Sequence, residues 1–320
     1  MVTGAPKRLS RIVSLASAMT LGLAAIMPTS TMAAAYASPQ PPASHWITST
    51  NYRYPGNDGK HHAVSWDKYS YMIDDHHLNI WSGEVHYWRL PSPHQWRDVL
   101  QKMKAAGFNA VSFYFFWGYH QSAPDSPFDF SGIRNIDLLL RMAAEEGLYV
   151  IARPGPYINA EISMGGMPAW QTNSSLPLRN AWDNTNWQQQ RAWLHAVNKI
   201  IARHQVTNGG GSVLLYQVEN EELASVGPYA DYVKKIIKAA KEDGINVPIF
   251  HNDYAPVGNW AFTTKDTGLD VYSYDDYPIR FDCSATRHKL QDHNWHIDPA
   301  FRAAHHSPHF IAEAQGGAFT

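Results

Sequence analysis

The sequence has little net charge and few charged residues. Its 26 Lys and Arg residues nearly balance 28 Asp and Glu residues, which leaves a net charge of −2 over 320 residues. Because nucleic acids and anionic membrane surfaces are bound through a positive field, we expect neither as a partner. Charged residues make up only 17% of the chain, whereas aromatic residues reach 13%. This composition favours flat, weakly charged ligands.

Cysteine is nearly absent, since Cys283 is the only one in the sequence. A single cysteine cannot form an internal disulfide bond, so it indicates a free thiol, an intermolecular bond or a partner outside this sequence. We do not predict a catalytic thiol, because the motif around Cys283 contains no histidine that could activate it.

Long hydrophobic runs are also missing, except near the start of the chain. Basic residues at positions 7, 8 and 11 precede an apolar run over residues 12–27, and small residues follow up to Ala37. The run is shorter than the roughly 20 residues that span a bilayer, and the pattern is typical of a secretory signal peptide. We therefore predict a signal peptide over residues 1–37, a proline-rich lead-in over 38–62, and secretion to the extracellular space or the periplasm.

The remaining sequence alternates β-rich runs with amphipathic helices, which predicts parallel strands in an α/β fold. Seven candidate strands begin at His77, Ala110, Tyr149, Val213, Pro248, Val271 and His309. Helical periodicity surrounds Trp96, Trp193 and Val233. A doubly wound sheet usually carries a glycine-rich turn after its first strand, and Ser82-Gly83-Glu84 does not match one. We therefore predict a TIM (β/α)₈ barrel over residues 63–320, truncated after the seventh strand.

Polar residues gather where the predicted strands end. They are Trp117, Asn159, Glu161, Asn220, Glu221, Asp253, Tyr277 and Glu313. In a barrel this edge holds the catalytic site. Strand alternation places Glu219 and Glu221 on one face and Asn220 and Glu222 on the other.

Two of these carboxylates suggest a reaction. Glu221 follows the fourth strand and Glu313 lies on the seventh, so they approach each other across the mouth of the barrel. A protonated acid and an ionised carboxylate on either side of a sugar would suit glycoside hydrolysis. The alternative is structural, with Glu221 as a surface acid at a helix start and Glu313 as a salt-bridge partner.

Several long motifs, in order, resemble glycoside hydrolase family 35, the secreted β-galactosidases. They are SGEVHYWRLPSPHQWRDVLQKMKAAGFNAVSFYFFW, VIARPGPYINAEISMGGMPAW, YQVENEE, YSYDDYP with FDC, and AEAQGGAF, and together they cover most of residues 63–319. The resemblance implies a retaining enzyme that removes terminal non-reducing β-D-galactose by double displacement. Its substrate would be a β-galactoside oligosaccharide or polysaccharide, with no cofactor.

The resemblance also implies roles for individual residues. Glu221 is the expected general acid and base, and Glu313 the expected nucleophile, with carboxyl groups about 5 to 5.5 Å apart. Asn220 is expected to bind the sugar 2-hydroxyl. The remaining positions of the expected galactose pocket are Tyr114, Asn159, Ala160, Glu161 and Tyr277.

Other polar and aromatic residues admit two interpretations each. Arg153 could orient a carboxylate or serve only the structure, and Trp117 and Trp170 could stack on sugars or pack in the core. The histidines at 76, 77, 305, 306 and 309 lack metal-ligand spacing, so we predict no metal site.

The sequence departs from the family pattern at its end. A closed barrel needs eight strands and only seven are predicted, whereas family members continue with an eighth βα unit and several β-rich domains. We therefore expect a fragment of a longer protein, with the partner of Cys283 beyond Thr320. Because an open barrel exposes strand edges, the 320-residue chain alone is expected to be poorly folded and nearly inactive. Alternative functions are a β-glucosidase, an exo-glucosaminidase, an endo-acting barrel glycosidase and a catalytically silent, truncated sugar-binding barrel.

Overall fold

The computed structural model describes residues 54–173, 178–223, 225–261, 264–277 and 306–314. The predicted signal peptide, residues 38–53 of the lead-in and Cys283 lie outside these residues. No helix in the described part of the chain is long and apolar enough to cross a membrane.

Two sheets make up the described strands. A small antiparallel sheet contains β1 (Val64–Trp66), β2 (Tyr71–Ile73) and β3 (His76–Leu78). The large sheet contains β4 (Ser82–Glu84), β5 (Ala110–Tyr114), β6 (Tyr149–Arg153), β7 (Val213–Gln217), β8 (Ile249–Asp253), β9 (Val271–Asp276) and β10 (Ile311–Ala314).

The large sheet follows the order of the chain. Every neighbouring pair of its strands is parallel, from β4 at one edge to β10 at the other. This is the arrangement of a TIM barrel seen over seven strands, so the predicted fold class is confirmed.

Three of the described helices begin next to a residue whose side chain caps the first turn. The helices are α1 (Pro93–Ala105), α2 (Trp117–His120), α3 (Ile136–Glu145), α4 (Asn184–Ile201), α5 (Gly227–Glu242) and α6 (Thr264–Thr267). Single 3₁₀ turns cover Pro55–Asn57, Tyr87–Arg89, Gly132–Arg134, Ser163–Gly166, Ala169–Asn173, Ala202–His204 and Val206–Asn208. Asp183 caps α4 by accepting the Asn186 N–H at 2.6 Å, which satisfies one of the free amides of its first turn.

Burial explains why the strands are continuous apolar runs. Every residue of β5 to β9 is buried, as expected for parallel strands covered on both faces. Trp96 of α1, Trp193 of α4 and Ile236 of α5 pack in the main core cluster with the large sheet. The predicted helices around Trp96, Trp193 and Val233 are therefore confirmed.

The start of the first barrel strand was predicted too early. His76 and His77 belong to β3 of the small antiparallel sheet, and the barrel strand covers only Ser82–Glu84. Asp74 and Asp75, both with positive φ, form the turn that separates β2 from β3. The sequence did not predict this hairpin, because its turn, Asp74-Asp75, contains no glycine.

Candidate active site

The polar groups of the candidate site come from the carboxyl ends of the large sheet. Parallel strands bring these ends to one edge. The contributing side chains are Glu84 of β4, Tyr114 of β5, Arg153 of β6, Gln217 of β7, Asn252 of β8, Asp275 of β9 and Glu313 of β10. Tyr277 directly follows β9.

Glu313 accepts hydrogen bonds from three side chains at this edge. Tyr114 and Arg153 both donate to Oε1, and the Tyr277 hydroxyl donates to Oε2 at 2.5 Å. Arg153 also donates to Oε2 of Glu84 at 2.9 Å, and its guanidinium lies 3.9 Å from the centre of the Tyr114 ring. Both oxygens of Glu313 are therefore fixed by donors that favour its ionised form.

The charge of Arg153 determines the protonation state of Glu313. Burial by itself raises the pKa of this carboxyl, but the Arg153 charge and the three donated hydrogen bonds outweigh that effect. The pKa of Glu313 is consequently lowered. Glu313 is thus an ionised carboxylate at neutral pH, which is the state a nucleophile needs.

Asn220 sits in a network that fixes the direction of its amide. Its Oδ1 accepts from the Tyr114 hydroxyl at 2.6 Å, and from Arg153, Gln217 and Asn252 at 3.2 Å each. Because four donors converge on the oxygen, the nitrogen must point the other way. That Nδ2 lies 3.3 Å from Oε2 of Glu221.

Glu221 has the opposite electrostatic setting from Glu313. Burial and then the charge of Glu313 raise the pKa of Glu221, against the opposing effects of Asp275, Arg153 and Arg179. Its backbone N–H donates to Oδ1 of Asn252 at 3.2 Å, and its φ of 49° turns the chain sharply after β7. A carboxyl that keeps its proton can serve as a general acid.

The predicted alternation of side chains after β7 was wrong. Glu219 and Glu221 both have positive φ, at 59° and 49°, so the chain no longer alternates as a strand does. Glu219 and Glu222 both form ion pairs with Arg179, whereas Asn220 contacts Glu221. Glu219 and Glu222 are therefore held together by Arg179, whereas Asn220 and Glu221 face the candidate site.

The ion pair of Glu219 and Arg179 adjoins the candidate site. Arg179 donates to both oxygens of Glu219, from Nε at 2.8 Å and from Nη2 at 2.6 Å. Glu219 is only 1% exposed, and its burial raises its pKa to about 7 despite the neighbouring cation. Arg179 Nη2 also donates to the backbone oxygen of Asn220 at 2.6 Å, which ties the pair to the site.

The segment after β6 supplies the other predicted sugar-binding positions. Asn159, Ala160 and Glu161 have successive φ values of 50°, 51° and 46°. Arg89 holds this turn by donating to the backbone oxygen of Ala160 at 2.8 Å. Ala160 packs beside Tyr114, while burial followed by the charges of Glu313 and Glu84 raises the pKa of Glu161.

A cavity of about 620 Å³ opens beside this segment. Its lining residues include Asn159, Tyr157, Arg179, Glu222 and Tyr229. The Tyr157 ring covers Gly165 so closely that a Cβ there would lie 2.0 Å from a ring carbon, so this position requires glycine. The structure therefore places Asn159 on a cavity wall next to the residues that follow β7.

The contacts of Trp117, Trp170 and Arg153 bear on the two interpretations that the sequence allowed for each of them. Trp117 is buried in the core, parallel to Trp193 at 6.3 Å between ring centres. Trp170 packs edge-on against Trp117 rather than among the carboxylates. Arg153 contacts two carboxylates, Glu84 and Glu313, with one hydrogen bond each, as the interpretation of an orienting arginine expects.

Two other predicted positions lie away from the paired carboxylates. Asp253 accepts the Tyr272 hydroxyl at 2.9 Å, and its burial raises its pKa to about 6. His309 contacts the Tyr274 hydroxyl at 2.6 Å, and His305 lies outside the described residues. No group of three metal-ligating side chains occurs in the part of the chain that the structure describes.

Four residues of the site were missed by sequence reasoning. They are Glu84, Gln217, Asn252 and Asp275, and each is the last or the second-last residue of its strand in the structure. All four contact the network around Arg153, Asn220 and Glu313 directly or through one side chain. A search for every polar residue at a strand end would have found them.

Similarity to known proteins points to one family. The model for "Glycosyl hydrolases family 35" matches residues 70–320. "Probable beta-galactosidase C" of Aspergillus clavatus is 40% identical over 270 residues, which is 82% of this chain and 27% of that protein. The protein of the same name from Neosartorya fischeri is 42% identical over 236 residues, covering 71% of this chain and 24% of that protein. The chain thus spans about a quarter of the length of these relatives.

A solved structure supports the fold alone. A structure described as "Glycoside hydrolase" superimposes with a TM-score of 0.51 at 13% identity, over 80% of this chain and 56% of that one. At this identity the match extends to architecture and not to chemistry.

Proposed function

Because the chain belongs to glycosyl hydrolases family 35, we propose that it carries the catalytic site of a secreted, retaining β-galactosidase. The observation that carries the proposal is the difference in contacts between the two acids. Tyr114, Arg153 and Tyr277 donate to Glu313 and lower its pKa, whereas burial and the charge of Glu313 raise the pKa of Glu221. Environments that separate two carboxyls in this way assign one as the acid and the other as the nucleophile.

The first step forms a covalent intermediate. A carboxylate oxygen of Glu313 attacks the anomeric carbon of a terminal β-galactose residue, while Glu221 donates its proton to the departing glycosidic oxygen. The attack consumes the charge of Glu313, and Arg153 remains as its cationic neighbour. The leaving group departs as a neutral alcohol.

The second step releases the sugar. Glu221, now ionised, takes a proton from a water molecule as the resulting hydroxide attacks the anomeric carbon. The bond to Glu313 breaks, and its carboxylate returns to the donors Tyr114, Tyr277 and Arg153. Two inversions give net retention of configuration.

We propose that the residues around Glu221 and Glu313 bind the sugar. The Asn220 amide nitrogen lies 3.3 Å from Glu221, a long hydrogen bond that a sugar 2-hydroxyl could replace. Tyr114, Asn159, Ala160, Glu161 and Tyr277 would line the galactose pocket. The neutral tyrosine hydroxyls and the amides suit an uncharged sugar.

Secretion and a longer chain also belong to the proposal. Residues 1–37 have the composition of a signal peptide, which supports export. We propose that an eighth βα unit pairs with the edge strands β4 and β10, and that β-rich domains follow. The greater length of the relatives supports this.

A chromogenic panel tests the proposed reaction. The p-nitrophenyl β-galactoside, β-glucoside and β-N-acetylglucosaminide are compared in the 320-residue chain and in an extended chain. The extended chain continues after Thr320 with the C-terminal portion of the Aspergillus clavatus relative. We expect the extended chain to prefer the galactoside and the Glu313→Gln variant to be inactive, with little turnover by the chain alone.

Other results of this panel would support one of the alternative functions. Preference for glucoside or glucosaminide would indicate another retaining glycosidase, and binding of galactose without turnover would indicate a sugar-binding barrel. Proton NMR of the first product gives the stereochemistry, and the inverted anomer would refute the double-displacement mechanism.

A further inference from the structure

His251 is a buried histidine of β8 that has no place in the mechanism above. Its ring Nδ1 lies 2.9 Å from the backbone oxygen of Val218, and its Nε2 lies 3.1 Å from the backbone nitrogen of Glu222. One side chain therefore holds both ends of the turn over residues 218–222. We call this segment the acid turn, because it contains Glu221 together with Asn220.

The two backbone partners fix the chemical state of the His251 ring. A carbonyl oxygen only accepts, so Nδ1 carries a hydrogen and donates to Val218, whereas a backbone N–H only donates, so Nε2 accepts from Glu222. The doubly protonated ring would point a second hydrogen at the Glu222 N–H. Burial, assisted by the charges of Arg179 and Arg153, lowers the pKa of His251 to about 4. The ring is therefore neutral at neutral pH.

The acid turn depends on contacts from other parts of the chain. Glu219 and Glu221 have φ values of 59° and 49°, in a region that residues with side chains seldom adopt. Gln217 and Arg179 donate to two carbonyl oxygens inside the turn, at 2.8 and 2.6 Å, and Asn252 accepts one of its N–H groups at 3.2 Å. Side chains rather than a strand ladder thus hold this conformation.

Trp260 supports His251 at the end of the acid turn. Its indole Nε1 donates to the backbone oxygen of Glu222 at 2.6 Å, and its ring centre lies 4.7 Å from that of His251. Both rings are fully buried. The N–H of Glu222 is held by His251 and its carbonyl group by Trp260, so the residue that follows the general acid is fixed on both sides.

We propose that His251, as the neutral tautomer with its hydrogen on Nδ1, is a positioning residue that sets the reach of Glu221 toward the glycosidic oxygen and of Asn220 toward the sugar. The proposal rests on the roles of these two residues in the proposed function. Without the two hydrogen bonds of His251 the ends of the acid turn can separate, and a displacement of about 1 Å in a catalytic group costs roughly 100-fold in rate.

Nitrogen NMR of the histidine rings tests the tautomer. The extended chain is labelled with ¹⁵N, and the signals of His251 are assigned by their loss in His251→Phe. At pH 7 we expect a protonated Nδ1 and an unprotonated Nε2. A hydrogen on Nε2, on one or both nitrogens of the ring, would overturn the proposal.

Two galactosides with different leaving groups test the positioning of Glu221. His251→Phe keeps a flat ring beside Trp260 but removes both hydrogen bonds. For methyl β-galactoside, whose leaving group needs a proton, we expect kcat/KM to fall about 100-fold. For the dinitrophenyl β-galactoside, whose leaving group needs none, the fall should be about 10-fold or less.

The ratio of these two kcat/KM values separates positioning from stability. A smaller folded fraction lowers both constants equally, so only a displaced Glu221 raises the ratio of dinitrophenyl to methyl galactoside. We expect a rise of about tenfold in His251→Phe. An unchanged ratio in this variant would overturn the proposal.

Azide provides a second measurement on His251→Phe. In the second step Glu221 removes a proton from water, whereas azide attacks the galactosyl enzyme without needing a base. Azide should therefore accelerate turnover of the dinitrophenyl galactoside in this variant and give β-galactosyl azide, with little effect on the wild type. A variant that turns over slowly but does not respond to azide would contradict a displaced Glu221.

His120→Phe is the matched control. His120 is also buried, and its ring contacts the backbone oxygen of Asp129 at 2.7 Å through Nδ1 and the hydroxyl of Tyr87 at 2.5 Å through Nε2. Both partners lie outside the acid turn. This variant loses the same two kinds of hydrogen bond, so it should lose stability and keep the wild-type ratio. A ratio that rises as much as in His251→Phe would refute a specific role of His251.

Trp260→Phe keeps the test decisive if His251→Phe does not fold. It removes only the indole donor to Glu222, so the ratio should rise in the same direction by a smaller factor. A wild-type ratio in folded Trp260→Phe would then overturn the need to hold the end of the acid turn.

Failure of the proposed function would give a different result. A wild-type extended chain that hydrolyses no galactoside would refute that function, and the backbone amide signals of Glu221 and Glu222 would then decide the role of His251. They should shift in His251→Phe and stay in place in His120→Phe. Unchanged signals in a folded His251→Phe would overturn the proposal.

Discussion

Glu221 and Glu313 interact electrostatically, and yet their pKa values are displaced in opposite directions. Burial alone would raise the pKa of both carboxyls. Three donors to Glu313 outweigh burial there, whereas Glu221 experiences the charge that those donors stabilise. One set of contacts therefore produces both the ionised and the protonated member of the pair.

Removal of the Tyr277 hydroxyl should raise the pKa of Glu313. Tyr277→Phe deletes the 2.5 Å hydrogen bond to Oε2, and a hydrogen bond to a charged group contributes about 1.5 to 3 kcal/mol. Because Glu313 reacts only when ionised, activity is lost as pH falls through its pKa. The acidic limb of kcat/KM should therefore move to higher pH by roughly one unit.

Tyr274→Phe provides the matched control for that change. It removes a hydroxyl from the same strand region, but one that contacts His309 at 2.6 Å instead of Glu313. The acidic limb should stay in place in this variant. Equal shifts in both variants would show that the hydroxyl of Tyr277 has no specific effect on the nucleophile.

The ion pair of Arg179 and Glu219 should be needed for stability. Arg179→Met leaves Glu219 buried without its bidentate partner, which should lower the free energy of unfolding by about 3 to 5 kcal/mol. The pKa of Glu219 is already raised to about 7, and it rises further without the cation. Since a protonated Glu219 needs no cation, the deficit should be largest well above pH 7, shrink as pH falls toward 7, and be nearly absent below 7.

Urea unfolding of the extended chain, as wild type and as two variants, measures this effect. The double variant Arg179→Met with Glu219→Gln should recover most of the loss, because it removes the unpaired charge. A double variant as unstable as Arg179→Met alone would indicate that the packing of Arg179 on Tyr157, 4.1 Å from the ring centre, matters more than the ion pair.

The sequence predicted β5 to β9 well because each of these strands is buried on both faces. Runs such as those from Val213 and Val271 have to be apolar and rich in β-branched or aromatic residues, which is a local property. The small sheet β1 to β3 was missed because its strands are three residues long. Such strands are too short to show a period.

The candidate site was predicted less completely. Family resemblance implied Glu221, Glu313 and Asn220, and the structure brings these three side chains into one network. Strand alternation failed after Gln217, since positive φ values at Glu219 and Glu221 cannot be inferred from acidic residues. The hydrogen bond from Asn252 to Asp275 joins the ends of two different strands, so no local pattern could indicate it.

Trapping of the covalent intermediate tests the central assignment most directly. A 2-deoxy-2-fluoro-β-galactoside with a dinitrophenyl leaving group slows release of the sugar more than its transfer, so the galactosyl enzyme accumulates. After digestion of the extended chain, mass spectrometry should find the fluorosugar on the peptide that contains Glu313, and Glu313→Gln should acquire no label. A label on Glu221, or hydrolysis of galactosides with no label on Glu313, would contradict the account.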